Sequence, residues 1–316
     1  MTSGCGRAAT ERRQPTVIRA AYSSAVDIGD LPSLVAHRLL ERAGYRVDVT
    51  FYAQPELAVE ALASGGADVA SGGTRAFWAA TAKGAGLRLV MQHARNGYQL
   101  AAVSGVATCR DLHGRTLALS SQGSLPTALG QAFLQRCPDA RPRIVTVPHS
   151  GDRMQALLNG AIEATVLQRS DVARLQARAA GRFTTVDEFD TTVPALDFTG
   201  VFVRRAFADA HPDVVLDYVR ERIRANRLVL ATPALLVEEA GRWPSIASLD
   251  AAVVEGEVQA PAWARDGGIS PASVAATLQF FAGTRSLPAS LTTGDAADFS
   301  FADAAVTALS DEDGTP

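Results

Sequence analysis

The sequence predicts a two-lobed α/β protein in which each lobe is a mainly parallel sheet flanked by helices. Three observations predict it. Short apolar stretches with strand character alternate with helical patterns from about residue 16 to residue 200, which is the rhythm of parallel α/β sheets. A unit also recurs: Gly65-Gly66-Ala67-Asp68-Val69-Ala70-Ser71-Gly72-Gly73, set against Gly160-Ala161-Ile162-Glu163-Ala164-Thr165-Val166-Leu167-Gln168, places Gly on Gly, acid on acid, and an apolar strand ending in small or polar residues. Finally, 316 residues with 47% hydrophobic content can bury a large core and divide it between two lobes.

The elements follow in order. Residues 1–15 are small, polar and aperiodic and read as a disordered lead-in or tether. Val17 to Tyr22 reads as a strand. Asp30 can cap the next helix, with Pro32 in its first turn, Leu31, Leu34, Val35 and Leu39 on one face, and Gly44 as its stop. Val47 to Phe51 is a second strand, and after Pro55 a helix carries the stripe Leu57, Ala58, Ala61 and Leu62. Residues 65–74 read as a turn, a short strand and a Gly-rich helix entry. Leu87 to Gln92 and Tyr98 to Val103 are further strands, the latter leading out of the first lobe.

The pattern then repeats. Thr116 to Leu119 is a strand, Ser120 to Ser124 a turn, and Pro126 to Arg136 a helix. Ile144 to Val147 is a strand, followed by a helix with the stripe Met154, Leu157, Leu158 and Ala161. After the strand Val201 to Val203, Pro212 opens a helix with Val215, Tyr218, Val219 and Ile223 on its inner face. Helical patterns dominate to about Ala282, and residues 305–316 end polar and acidic and read as a frayed tail.

Composition excludes several classes of function. A net charge of −3 with acids and bases interspersed gives no basic stripe for a phosphate backbone. No apolar run approaches the roughly 18 residues of a membrane-spanning helix. The three cysteines, Cys5, Cys109 and Cys137, show neither metal-ligand nor redox spacing, so neither a zinc site nor a disulfide framework is expected. His37, His93, His113, His149 and His211 are dispersed, with no pair at helical ligand spacing. No metal or cofactor is expected.

Several residues can meet a ligand at strand ends and helix starts. Tyr22, Ser23, Ser24 and Asp27 form a polar loop after the first strand, which also reads as a plain turn and cap. Gly72, Gly73 and Thr74 offer backbone N–H groups at a helix start, with Thr74 as its cap. Gly123 and Ser124 offer the same, with the Ser120 and Ser121 hydroxyls close by. Gln168 and Asp171 end the repeated strand, although Ser170 and Asp171 serve equally as helix starters. Arg75, Arg95 and Arg169 are candidate anion clamps and Tyr98 and Phe198 candidate stacking partners, against the usual fates of surface arginine and core aromatic.

Taken together, Val59-Glu60-Ala61-Leu62-Ala63-Ser64-Gly65-Gly66-Ala67-Asp68-Val69-Ala70, Gly84-Ala85-Gly86-Leu87-Arg88-Leu89-Val90, Asp111-Leu112-His113-Gly114-Arg115-Thr116-Leu117-Ala118-Leu119 and Ala210-His211-Pro212-Asp213 resemble the type II periplasmic binding proteins. The branch is that of aliphatic sulfonate, nitrate, taurine and thiamin-precursor receptors of ABC importers, and the match spans roughly residues 16–300. The resemblance implies a receptor that captures a small organic molecule, anions included, between its lobes by hinge closure and hands it to an ABC permease. It implies a first lobe of residues 16–103 and 201–304 and a second of 104–200, with crossings near Ser104 to Thr108 and Pro194 to Gly200.

Enzymes exist on this scaffold. Sulfinate desulfinases use a Cys in the loop after the first strand, which here reads Ser23-Ser24-Ala25-Val26-Asp27. Fungal thiamin-pyrimidine synthases carry a clustered Cys motif, whereas Cys109 and Cys137 stand apart in sequence. The expectation is therefore binding without catalysis. The alternative is an enzyme on the same scaffold, of lyase, decarboxylase or thiamin-precursor type, acting on a small biosynthetic intermediate, with His93 and His149, each of which follows a strand, as its candidate residues. Ser3-Gly4-Cys5-Gly6 resembles a bacterial lipoprotein cleavage site, which makes Cys5 a candidate for lipidation given a signal peptide from an upstream start. The other reading is a cytoplasmic protein.

Overall fold

The computed structural model describes residues 16–95, 97–122, 124–193, 196–244, 246, 253–254, 258 and 263–313, the last without its side chain. The expected lead-in with Cys5, and Gly123, lie outside the described residues.

Two five-stranded sheets are built on one plan. In the first, β1 (Thr16–Tyr22) pairs in parallel with β2 (Tyr45–Phe51) and with β3 (Val69–Gly73), and β10 (Thr199–Arg204) lies antiparallel between β3 and β4 (Leu87–Ala94). In the second, β6 (Thr116–Leu119) pairs in parallel with β7 (Arg143–Thr146) and β8 (Ala164–Gln168), and β5 (Tyr98–Val103) lies antiparallel between β8 and β9 (Phe183–Glu188). Each sheet thus receives one antiparallel strand from a passage between the lobes.

The repeated sequence unit has a physical basis. Asp68 Oδ2 accepts the Arg19 N–H at 2.9 Å while its own N–H donates to Arg19 O at 2.9 Å. Glu163 does the same to Thr116, at 2.7 Å and 3.0 Å. The matched acid straps the start of the third strand to the first, satisfying backbone donors that the parallel ladder leaves open. The matched glycines, Gly65 and Gly160, both take positive φ, 84° and 73°, which turns the preceding helix into that strand.

Central strands are buried, as in β3 up to Gly72 and in β6, even at the polar positions Ser71 and Thr116, because helices cover both faces. The edge strand β2 instead alternates exposed and half-buried residues. Behind the first sheet, α1 (Leu31–Arg42) and α13 (Ser300–Asp313) pack on α9 (Pro212–Ala231). The buried positions Val215, Tyr218, Val219, Arg222, Asn226 and Val229 of α9 follow the helical repeat.

The structure departs from the sequence reading in four places. β5 pairs with β8 and β9, so the chain crosses between β4 and β5 and not near Ser104 to Thr108. An apolar strand carries no mark of which sheet will accept it. The expected tail from residue 305 is part of α13, because Ala305 and Leu309, one turn apart, pack with Ile18, Val90 and Tyr218 in the first-lobe core. Leu57 points outward from α2 (Pro55–Ser64), whose buried face is Ala58, Val59 and Leu62.

Cys109 and Cys137, expected to stand alone, form a disulfide with Cα atoms 6.1 Å apart. The bond ties the loop entering β6 to the residues just beyond α4 (Leu125–Gln135). A separation of 28 residues gives no sequence-local sign of pairing; the parallel strand and returning helix bring the two sulfurs together.

Candidate ligand-binding site

A cavity of about 870 Å³ lies at the carboxyl ends of β1, β3 and β4 and is covered by second-lobe residues, the position expected of a ligand site on open α/β sheets. The loop after β1 supplies Ser23, Ser24 and Asp27, and Ser23 N–H is held by Ser71 O at 3.0 Å. Asp27 caps a 3-10 turn at Ile28–Asp30, its Oδ1 accepting Gly29 N–H at 2.7 Å and its N–H donating to Asp30 Oδ2 at 3.0 Å. The end of β3 supplies Ser71, Gly72 and Gly73; the second lobe supplies Tyr98, Gln168 and the ion-paired Arg169 and Asp190.

Of the residues expected at the site, Ser23, Ser24, Asp27, Gly72, Gly73 and Gln168 line this cavity. Gly123 lies outside the described residues, and the others do not line this cavity. Tyr22 is buried in the first-lobe core with its hydroxyl 3.2 Å from His37 Nε2. Thr74 is fully buried and fastens α3 (Thr74–Ala82) to the second passage, its N–H donating to Phe198 O at 3.0 Å and its hydroxyl to Asp197 O at 2.7 Å. Ser120 donates to Pro148 O at 2.8 Å, and Ser124 caps α4 by accepting Thr127 N–H. Ser121 is exposed, and Asp171 sits in the first turn of α6 (Arg169–Arg178) beside Arg174, 3.3 Å away. Of the arginines, Arg95 and Arg169 line the cavity, as do both aromatics, with the Tyr98 ring edge-on to Phe198 at 5.1 Å.

Three elements of the site were not anticipated. The segment after residue 263 contributes Asp266, Gly268, Ile269, Ser270 and Ser273 to the wall. Asp197, fully buried, accepts Gln92 Nε2 at 3.0 Å and Ser273 Oγ at 2.7 Å, and its N–H donates to Thr277 at 2.8 Å. These bonds lock the end of the second passage to the first lobe, and burial pushes the Asp197 carboxyl up to about 6. Deepest is a relay in which Arg222, fully buried on α9, lies 3.2 Å from His93 Nδ1, and His93 Nε2 lies 2.9 Å from Asp30 Oδ1. Burial drives His93 down to about 3 and Asp30 up to about 7. The available signal was Arg222 itself, a charge on the inner stripe of α9 between Val219 and Ile223, where a buried cation needs a partner.

Among the described residues no group of three or more His, Cys, Asp or Glu could hold a metal ion, and no helix is long and apolar enough to cross a membrane.

The family model described as NMT1/THI5 like matches residues 39–234, more than half of the chain. The chain belongs to the NMT1/THI5-like family. This member of the family has the fold of periplasmic binding proteins. It superposes on the ligand-binding component of an ABC-type import system from Staphylococcus aureus, solved with zinc bound, with a TM-score of 0.71, 16% identity, and 91% of this chain and 98% of that one covered. The periplasmic aliphatic sulphonate-binding protein SsuA from Escherichia coli gives 0.68 at 18% identity, covering 90% and 92%. The periplasmic nitrate-binding protein NrtA from Synechocystis PCC 6803 gives 0.68 at 13% identity, covering 94% and 89%. Among curated proteins none matches in sequence.

Proposed function

We propose that this member of the NMT1/THI5-like family is the substrate-binding subunit of an ABC importer, which captures a small organic molecule between its lobes by hinge closure and passes it to a permease. One observation carries the reading: a cavity is walled on one side by first-lobe strand ends and on the other by Tyr98, Gln168 and Arg169 of the second lobe, and the chain passes between the lobes twice, once between β4 and β5 and once before β10. Closure about such passages is the usual motion of two-lobed receptors. Fold relatives described as binding components of import systems support it.

Capture without chemistry agrees with the placement of the histidines. His93 has both ring nitrogens engaged, toward Asp30 and Arg222, and stays neutral at ordinary pH, so it is ill-suited as a general base. His149 is exposed at the start of α5 (Ser150–Leu158) and does not line the cavity. A location outside the cytoplasm is supported by the Cys109–Cys137 disulfide, a bond that persists in oxidising compartments. Lipid attachment at Cys5 would anchor it there.

The test is small-angle scattering on protein loaded with a ligand recovered from its native host, followed by mass spectrometry of that ligand. The radius of gyration should shrink on binding and the ligand return unaltered. An unchanged radius with proven binding, or a chemically altered ligand, would overturn the reading. Absence of fatty-acid labelling at Cys5 in the host would remove the anchor alone.

A further inference from the structure

Five carboxyl groups line the cavity, those of Asp27, Asp30, Asp190, Asp197 and Asp266, against two cationic side chains, those of Arg95 and Arg169. Arg95 is exposed and Arg169 is engaged by Asp190. Asp30 and Asp197 are balanced. Asp30 faces the buried Arg222 through neutral His93, and Asp197 is satisfied by Gln92 and Ser273 with Arg95 in electrostatic reach.

Asp27 is different. Among the described residues it forms no ion pair, and its hydrogen bond comes from the Gly29 backbone. The titratable groups that face it are Asp30 on its own turn, His93 on β4 and, from the second lobe, Asp171 on α6, which is itself paired with Arg174. Asp27 and Asp30 thus place two carboxyls on one turn, and a positive charge beside Asp27 would relieve their repulsion.

A second observation points the same way. Gln92, 6% exposed and part of the wall, has its amide orientation fixed by donation of Nε2 to Asp197, which leaves Oε1 as a buried acceptor without a hydrogen bond. An unmet buried acceptor calls for a donor. Tyr98 and Phe198, packed edge to face, also line the cavity and offer it aromatic surface against which a ring or a cation can pack.

We propose that the site takes an organic cation, whose protonated amine or amidinium nitrogen rests on Asp27, with a further N–H directed at Gln92 and an apolar body against Tyr98 and Phe198. This assignment rests on the receptor reading and narrows it, because it sets this chain apart from fold relatives described as sulphonate- and nitrate-binding.

The experiment compares phenethylamine, 2-phenylethanol and phenylacetate, with ethanesulfonate and nitrate alongside, by calorimetry and ligand-observed NMR at a pH of about 8, where Asp27 is ionised. Phenethylamine should bind at least ~10-fold more tightly than the alcohol, the scale of one charge-assisted hydrogen bond. That margin should vanish in Asp27→Asn. Should the variant fold poorly, the wild type supplies the same answer, because affinity for the amine should fall as the pH drops below about 7. Equal affinity for amine and alcohol, a preference for any of the anions, amine binding indifferent to Asp27→Asn, or no binding by any of the five overturns the proposal. An anion preference with closure of the lobes would leave the receptor reading standing, whereas amine binding with no change in radius of gyration would leave the cation assignment and remove the receptor.

Discussion

His93 Nε2 lies 2.9 Å from Asp30 Oδ1 while its other ring nitrogen receives the buried Arg222. The guanidinium can only donate, so Nδ1 is the acceptor and Nε2 carries the proton. A neutral imidazole therefore stands between a fully buried cation and a carboxyl group at the cavity floor. His93→Ala strips the buried Arg222 of this acceptor, at a cost of about 1–3 kcal/mol. His93→Gln, which keeps one acceptor and one donor, should recover part of that loss. Chemical denaturation of both variants checks it; equal destabilisation would mean that the relay contributes only packing.

The same groups make stability depend on pH in opposing directions. Burial raises the Asp30 carboxyl from 3.8 to about 7, so between those values the native state holds a proton that the unfolded chain has lost, and stability falls as pH rises. Burial lowers His37 from 6.5 to about 3, so across that range the unfolded chain holds the extra proton and stability rises with pH. Asp30→Asn removes the Asp30 contribution, while those of the histidines and of the raised carboxyls Asp27 and Asp197 remain in both proteins. The variant's stability should drop more steeply toward acid than that of the wild type between about pH 6 and 4, by up to ~1.4 kcal/mol per pH unit. Parallel profiles for the two proteins would contradict this assignment, whatever the constant offset between them.

Much of this architecture was legible in the sequence, because it is written in short-range terms. The match of Asp68 with Glu163 and of Gly65 with Gly160 marked a repeated strand entry, and the structure gives each pair one job. Loop residues at strand ends, Ser23, Asp27 and Gly72 among them, fall on the cavity because parallel strands deliver their carboxyl ends to one side. What depended on partners far along the chain was not legible. The sheet that accepts β5, the Cys109–Cys137 bond and the Ser273 hydroxyl on Asp197 each join residues whose proximity only the finished topology creates. Leu57 misled for a simpler reason, since Ala58, Val59 and Leu62 fill the inner face of α2 without it.

The disulfide is expected to stabilise the second lobe without touching the ligand. It closes a loop across 28 residues, for which the chain-entropy argument gives about 3–4 kcal/mol. Neither cysteine lines the cavity. Cys109→Ser with Cys137→Ser should therefore lower the melting temperature and leave binding intact when measured well below it. If reductant leaves the melting temperature of the wild type unmoved, the bond either does not form in solution or contributes nothing.

The two glycines at the end of β3 should respond oppositely to one added methyl group. At Gly72 a Cβ would overlap the Ser23 side chain, with Ser23 Cβ at 2.7 Å and Phe77 Cε2 at 3.0 Å. Ser23 cannot simply turn away, because its N–H is held by Ser71 O and its Cβ moves only with the backbone. Phe77 is equally confined, stacked on Phe202 with centroids 4.4 Å apart. Gly72→Ala should cost about 1–3 kcal/mol as overpacking and shift the β1 loop that carries Asp27. At Gly73 a Cβ meets nothing within 4 Å, and φ of −63° suits any residue. Gly73→Ala should leave the melting temperature alone, yet its methyl group would project into space that belongs to the cavity. A ligand seated against that strand end would lose affinity, while protein stability would not change. Thermal unfolding and phenethylamine binding, measured on the two variants together, separate these effects. Equal melting temperatures would show that the β1 loop yields freely, and unchanged binding by Gly73→Ala would place the ligand deeper, against Asp27 and Gln92.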